Sequence, residues 1–451
     1  MIDRDIDKFI ENHYNSSKSA LLLTGARQVG KTLAIRKYAQ KAGLDLLEIN
    51  FYEDKDARRI FEGARNVQEV LFRMSAYYHR TLQKGKTLIF FDEVQVYADV
   101  VTWVKFLVEE GSFLYALSGS LLGVTLRSIR SIPVGFMAVK EVFPLDLREF
   151  AQAVGVSEQV MESLEKAWTE CLPVDEVVHE SMLRIVALYL LIGGMPAVVQ
   201  TYIDTNDLHA VRKKQDEILQ LYRWDIAQYD PGNKLYIDEI FSLIPSELNA
   251  KNKRFILKNM NEHRQYSRME KGFIWLKDAG VALPTYNVSE PKVPLKLSES
   301  RSLFKLFQND VGLLAAQYAE GIALQMLSGD ANINYGAVYE NLVAQELRAH
   351  GWHLYYYNNK KQGEVDFLLE QDNKIVPVEV KSGKDYQRHV ALNNVLACTD
   401  YSIRSAVVLC NGNMKRQKQI VYAPIYMTMF MRKQSAETPL IYKPDITGLT
   451  S

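Results

Sequence analysis

Cysteine is scarce: Cys171, Cys398 and Cys410 are the whole complement of a 451-residue chain. That excludes a disulfide framework and fits a reducing, cytoplasmic compartment. The three are also too far apart in sequence for a zinc ribbon. An excess of either charge is missing as well, since 54 basic residues face 54 acidic ones. A globally basic coat protein and an acidic disordered tail are therefore excluded. Long apolar runs are absent too. The opening Met1-Ile2-Asp3-Arg4-Asp5-Ile6 has no apolar core like that of a signal peptide. The most apolar stretch, 185–202, is broken by Gly193, Gly194 and Pro196, short of the roughly 20 continuous residues a membrane helix needs. A soluble chain with no membrane anchor is expected. At about 150 residues per domain the length suggests about three domains, ample to bury a core without disulfides or metals.

What is present alternates. Strand-like apolar runs at 46–51, 87–91, 113–118 and 137–142 are separated by helix-like stretches at 57–83 and 101–110. Strands alternating with helices predict a parallel sheet covered on both faces. After 150 the pattern turns helical, at 160–170, 176–191, 208–222 and 234–243, with a turn signal at Pro231-Gly232-Asn233. Short helices continue to about 280, where Pro284, Pro291 and Pro294 impose an extended segment. From about 332 the α/β pattern returns, with a helix at 338–350, strands at 352–357, 364–370 and 375–381, and a helix from about 387.

The sharpest motif is Gly25-Ala26-Arg27-Gln28-Val29-Gly30-Lys31-Thr32, a complete G-x-x-x-x-G-K-[ST], preceded by an apolar run and followed by helical composition at 33–39. The glycines let successive backbone N–H groups turn toward phosphates, Lys31 is placed to bridge the β and γ phosphates, and Thr32 to hold Mg2+. The following helix adds its positive end. About 60 residues on, Leu88-Ile89-Phe90-Phe91-Asp92-Glu93 is an apolar strand ending in two carboxylates. Asp92 is expected to bind Mg2+ through water, and Glu93 to activate the attacking water. A third strand ends in Ser118-Gly119-Ser120, and Ser118 is a candidate for reaching the γ-phosphate.

At these residues the first half resembles a P-loop ATPase of the AAA+ superfamily, in the branch with an additional strand and a catalytic glutamate. More narrowly, the chain resembles prokaryotic ATPases that carry a C-terminal domain of unassigned function. The resemblance also draws on Phe143-Pro144-Leu145-Asp146-Leu147-Arg148-Glu149-Phe150 and Gly193-Gly194-Met195-Pro196. It implies ATP and Mg2+ as ligands, ATP hydrolysis as the activity, and contacts from Gly194 and Pro196 to the adenine. It further implies an arginine finger, for which Arg127 and Arg130 are candidates, or else a partner or second copy of the chain that supplies one.

Between 246 and 277 eight basic residues face three acidic ones, a local excess of five in a neutral protein. Helix, turn, helix and an extended hairpin resemble a winged helix-turn-helix, with 267–279 as the helix for a DNA major groove. The alternative is a helical lid with a solvated basic face.

The last constellation is Gly363-Glu364-Val365-Asp366 followed by Pro377-Val378-Glu379-Val380-Lys381. On paired strands Asp366 and Glu379 can aim at one metal, with Lys381 two residues on and so on the same face. Two hard carboxylates and an ammonium suit Mg2+-assisted phosphodiester hydrolysis, and Glu340 can complete the set. The order Glu340, Asp366, Glu379, Lys381 resembles a restriction-endonuclease-like nuclease core, with Gln387 a softer match.

The expected architecture is α/β: an AAA+-like P-loop domain (1–150), a helical lid (151–230), a winged-helix-like segment (231–310) and a restriction-endonuclease-like domain (311–451). The expected function is a Mg2+-dependent ATPase coupled to a nuclease-like, DNA-interacting domain. The alternative is a nucleotide-dependent switch whose nuclease-like domain is inactive and docks DNA or a protein.

Overall fold

The computed structural model describes residues 2–120, 135–229, 234–250, 255–256, 272–318 and 336–434. Its first layer is a five-stranded sheet built from β1 (Ala20–Thr24), β2 (Asp45–Asn50), β3 (Thr87–Asp92), β4 (Leu114–Ser118) and β5 (Met137–Glu141). The strand order is β2-β3-β4-β1-β5 and every pairing is parallel. β4 therefore stands between β1, which leads into the glycine loop, and β3, which ends in the carboxylates. Leu21 and Leu23 join one hydrophobic cluster while Ala20 and Leu22 join the other. That is the period-two signature of a sheet buried on both faces.

The stretch expected as one helix over 57–83 is instead a 3-10 turn at Lys55–Ile60 and a helix at Val67–Tyr77. Gly63 adopts φ 67° between them, and the Asn66 side chain accepts from the Glu69 N–H to start the helix afresh.

Residues 147–229 are largely helical, with helices Leu147–Ala153, Glu158–Glu170, Glu176–Ile192, Pro196–Thr205 and Leu208–Tyr229. Asp146 and Glu149 form a capping box that fixes the first of these. Among the described residues no single helix is long and apolar enough to cross a membrane. The apolar character of 185–202 serves the interior: Val186, Tyr189, Leu190, Leu191, Ile192, Val198 and Val199 are all buried.

The second sheet has nine strands: β6 (Phe255–Ile256), β7 (Ala282–Val288), β8 (Glu299–Gln308), β9 (Tyr355–Asn359), β10 (Gly363–Gln371), β11 (Lys374–Val380), β12 (Ala406–Cys410), β13 (Lys415–Gln417) and β14 (Ile420–Pro424). Their order is β13-β14-β12-β11-β10-β9-β7-β8-β6. The sheet crosses the expected boundary at 310, because β7 pairs with β9 on one side and β8 on the other. The hairpin expected as the wing of a winged helix is thus built into this layer. Of the expected groove-reading helix, 267–279, residues 267–271 lie outside the described residues and 272–278 are helical. The Gly336–Ala349 helix covers one face through Leu342, Val343 and Leu347, and the Val390–Ala397 helix covers the other through Leu392 and Val395.

Candidate functional site

The glycine loop joins β1 to the Lys31–Lys41 helix. Gly25 adopts φ 123°, and a Cβ there would lie 2.2 Å from the Val142 carbonyl oxygen. Only glycine lets the loop pass so close to the chain after β5. Gln28, Val29 and Gly30 complete the curl, with Gly30 as N-cap of the helix. Lys31 folds back inside it. Its ammonium donates to the Gly25 carbonyl at 3.1 Å, the Ala26 carbonyl at 2.7 Å and Ser120 Oγ at 3.1 Å. Burial pulls this lysine down to about 8, against the opposing pull of Glu93 and Asp92.

Beside it, Thr32 Oγ1 donates to both carboxylate oxygens of Asp92, at 3.2 and 3.1 Å. Ser118 Oγ donates to Asp92 Oδ1, and Asn50 Nδ2 donates to Asp92 Oδ2 at 3.1 Å. Burial raises the Asp92 carboxyl and the Ser118 bond opposes it. β2, β3 and β4 end side by side, which brings Asn50, Asp92 and Ser118 together. Glu93 follows in the left-handed region at φ 55° and accepts from the Gln95 amide. A hydroxyl, a carboxylate and neighbouring amide and hydroxyl oxygens form the hard-oxygen set that suits Mg2+.

Three further groups clasp the loop. Arg4 donates to the Val29 carbonyl at 2.7 Å and the Phe143 carbonyl at 2.8 Å, and pairs with Glu149 at 3.2 Å. Arg27 pairs with Asp225 of the Leu208–Tyr229 helix at 3.0 Å, and Tyr222 from the same helix donates to the Arg27 carbonyl at 3.3 Å. Burial raises Asp225 to about 6, with Arg27 opposing. The turn at Gly280, just ahead of β7, presses on the loop, since a Cβ there would sit 3.0 Å from the Ala26 nitrogen. Arg4, Asn50 and Asp225 carry no motif, and nothing local in the sequence signals them; Ser120 closes the Ser118-Gly119-Ser120 turn.

Gly194 and Pro196, the expected adenine contacts, follow the Glu176–Ile192 helix. The Gly194 N–H donates to Asp310 at 2.6 Å and its carbonyl accepts from the Leu145 N–H at 2.7 Å. Both main-chain groups tie this turn to Leu145 and Asp310. Pro196 opens its helix beside Gly30. Arg127 and Arg130 lie outside the described residues.

The C-terminal carboxylates do converge. β10 and β11 are antiparallel with Phe367 opposite Val378, which sets Asp366 against Glu379. Asp366 Oδ2 accepts from the Val380 N–H at 2.8 Å, and Lys381 pairs with Glu379 at 2.8 Å. Burial raises the Glu379 carboxyl, with Lys381 opposing, and Glu379 Oε2 makes no hydrogen bond. Glu340 is buried on the Gly336–Ala349 helix. Gln387 lies in the exposed turn ahead of the next helix rather than on it.

One member of this group was not foreseen. Lys305 on β8 is fully buried, and its ammonium lies 2.7 Å from Glu364, 3.4 Å from Glu340 and 3.9 Å from Asp366. It also sits 5.1 Å from the centre of the Tyr356 ring. Burial opposes its charge, but Glu340, Glu364 and Asp366 outweigh burial and hold it well above the ordinary lysine range. Among the described residues no group of three or more His, Cys, Asp or Glu side chains is arranged to hold a metal ion. Asp366 and Glu379, expected to share Mg2+, instead face the Lys305 and Lys381 ammonium groups.

The glycine loop, the carboxylate-ended β3 and the parallel sheet define a P-loop domain of the ATPase type. Residues 17–151 match the family model described as an AAA domain, so the first module is an AAA-type P-loop domain. Residues 335–428 and 183–324 match two models, each described as a domain of unknown function (DUF4143 and DUF8612). No curated protein matches the chain. Among solved structures, the Walker-type ATPase PABY2304 of Pyrococcus abyssi is 14% identical, over 70% of this chain and 96% of that one, with a TM-score of 0.42. PCH-2 of C. elegans is 16% identical, over 47% and 67%, with a TM-score of 0.25. The Hsp104–ADP complex of S. cerevisiae is 15% identical, over 62% and 38%, with a TM-score of 0.27.

Proposed function

We propose that the protein is an ATP-binding, Mg2+-dependent ATPase whose nucleotide state sets how its C-terminal half engages a partner. The observation that carries the reading is Lys31. A buried ammonium bonded only to neutral oxygens, inside a ring of backbone amides, is under-compensated, and a triphosphate supplies the missing negative charge. Gly25, Ala26, Arg27, Gln28, Val29 and Gly30 would present the loop to the phosphates, and Thr32 with Asp92 would hold Mg2+. When bound, Mg2+ neutralises charge on the phosphate oxygens. Glu93 would take the proton of the attacking water, and Ser118 would keep Asp92 oriented.

The link to the C-terminal half is supported by one chain of contacts. Arg27 and its carbonyl bind Asp225 and Tyr222. The Asn309 amide donates to Tyr222 Oη at 3.4 Å, and Asn309 directly follows β8, the strand of Lys305. The partner class we assign is DNA, on the basic excess between 246 and 277. A second copy or another protein would supply the arginine finger. Of the two readings of the nuclease-like domain, Lys305 among its carboxylates favours docking over cleavage.

The test is nucleotide binding and turnover by wild type and Glu93→Gln, each with and without DNA. Glu93→Gln should hold ATP with wild-type affinity and lose turnover by about 100-fold or more. Wild-type turnover in Glu93→Gln would remove its role, and turnover and affinity indifferent to DNA would remove DNA as the partner.

A further inference from the structure

We propose that Lys305 is the resident cation of the C-terminal carboxylate cluster, taking the place a divalent metal would need, so that the cluster is a metal-free structural joint. It goes beyond the nucleotide reading and does not depend on it. Three elements converge on the ammonium: the Gly336–Ala349 helix with Glu340, β10 with Glu364 and Asp366, and β8 with Lys305 itself. Glu379 on β11 faces the same group and is tied to Lys381.

The argument is geometric. Mg2+ requires near-octahedral oxygens at about 2.0–2.1 Å and gives up its waters reluctantly. The Lys305 ammonium already lies within 3.9 Å of three of the four carboxylates, and its side chain is fully enclosed. It has no solvent to retreat into. A divalent ion drawn to Asp366 would have to share the cluster with a fixed, enclosed positive charge, and like charges so close repel strongly. Asp366 is further committed, because its second oxygen caps the Val380 N–H. Lysine also brings its own stem, so β8 is fastened to β10 and to the covering helix by a charge that no chelator can remove.

Removing the ammonium while keeping the carboxylates should therefore create a metal site. The full chain is used without nucleotide, and bound Mn2+ is counted by electron paramagnetic resonance. Wild type and Asp366→Asn should bind the same number of ions, since the Thr32–Asp92 site is common to both. Lys305→Met should bind one more, and its melting temperature should rise by several degrees on adding Mn2+. A wild-type ion that Asp366→Asn loses would overturn the proposal, as would a folded Lys305→Met that gains none. If Lys305→Met does not fold, Lys305→Gln replaces it, and the wild-type and Asp366→Asn counts still decide. Failure of the nucleotide reading would show elsewhere, as no effect of Asp92→Asn on nucleotide-dependent Mn2+ binding.

Discussion

Lys31 and Lys305 are both buried, 6% and 0% exposed, yet their surroundings are opposite. Lys31 meets two backbone carbonyls and a hydroxyl. Burial wins there and draws the lysine down to about 8. Lys305 meets three carboxylates, which outweigh burial and lock the charge on. In the functions proposed above, the same side chain is a ligand-seeking group in one domain and a structural fastener in the other. What differs is the charge of the oxygens around it, not the depth of burial. The difference teaches that a buried lysine near acidic residues is not by itself a catalytic signal.

The comparison can be broken in three places. The largest expected effect is Lys305→Met, which strands Glu340, Glu364 and Asp366 without their cation and should cost about 3–5 kcal/mol of stability. Chemical denaturation measures it, and an unchanged midpoint would mean the cluster does not need the ammonium. Next is Lys31→Ala. It should weaken nucleotide binding by about 100-fold, the worth of charge-assisted hydrogen bonds, while leaving the nucleotide-free protein as stable as wild type. Calorimetric titration and thermal melting read the two halves of that statement. A large loss of stability without nucleotide would erase the contrast with Lys305.

The smallest effect concerns the clasp on the loop. The Asp225 carboxyl is raised to about 6 from its ordinary 3.8, so the folded state holds its proton over that window and the unfolded state does not. Its contribution to stability is present below pH 3.8 and is lost as pH rises through 6. Asp225→Asn should remove about 2 kcal/mol of that pH dependence, less than the full shift because residual solvent at the carboxyl reduces the cost of its burial. Equal pH profiles for wild type and Asp225→Asn between pH 4 and 7 would show that the pair is not titrating.

The loop and the end of β3 were legible because their chemistry is consecutive in sequence. Gly25, Gly30, Lys31 and Thr32 make a turn that any preceding strand and following helix would present. The five strands of the first sheet and β9, β10 and β11 of the second were legible for a similar reason, through apolar runs, whereas β8, β12, β13 and β14 were not read as strands. The 57–83 stretch was misread because Gly63 and Asn66 interrupt a composition that otherwise suits one helix. The wing was misread because pairing β7 with β9 is a contact across some seventy residues that no local pattern encodes.

The sequence alone determined that a phosphate-binding loop precedes a carboxylate-ended strand, and that Asp366, Glu379 and Lys381 share one face of a strand pair. Only the tertiary structure decided what those groups meet. It set β8 so that Lys305 enters the carboxylates, and it laid Asp225 and Tyr222 over Arg27. The physical reason is that burial and net local charge are properties of a folded neighbourhood. A chain with equal numbers of acids and bases carries no hint of which ones will be shut away together.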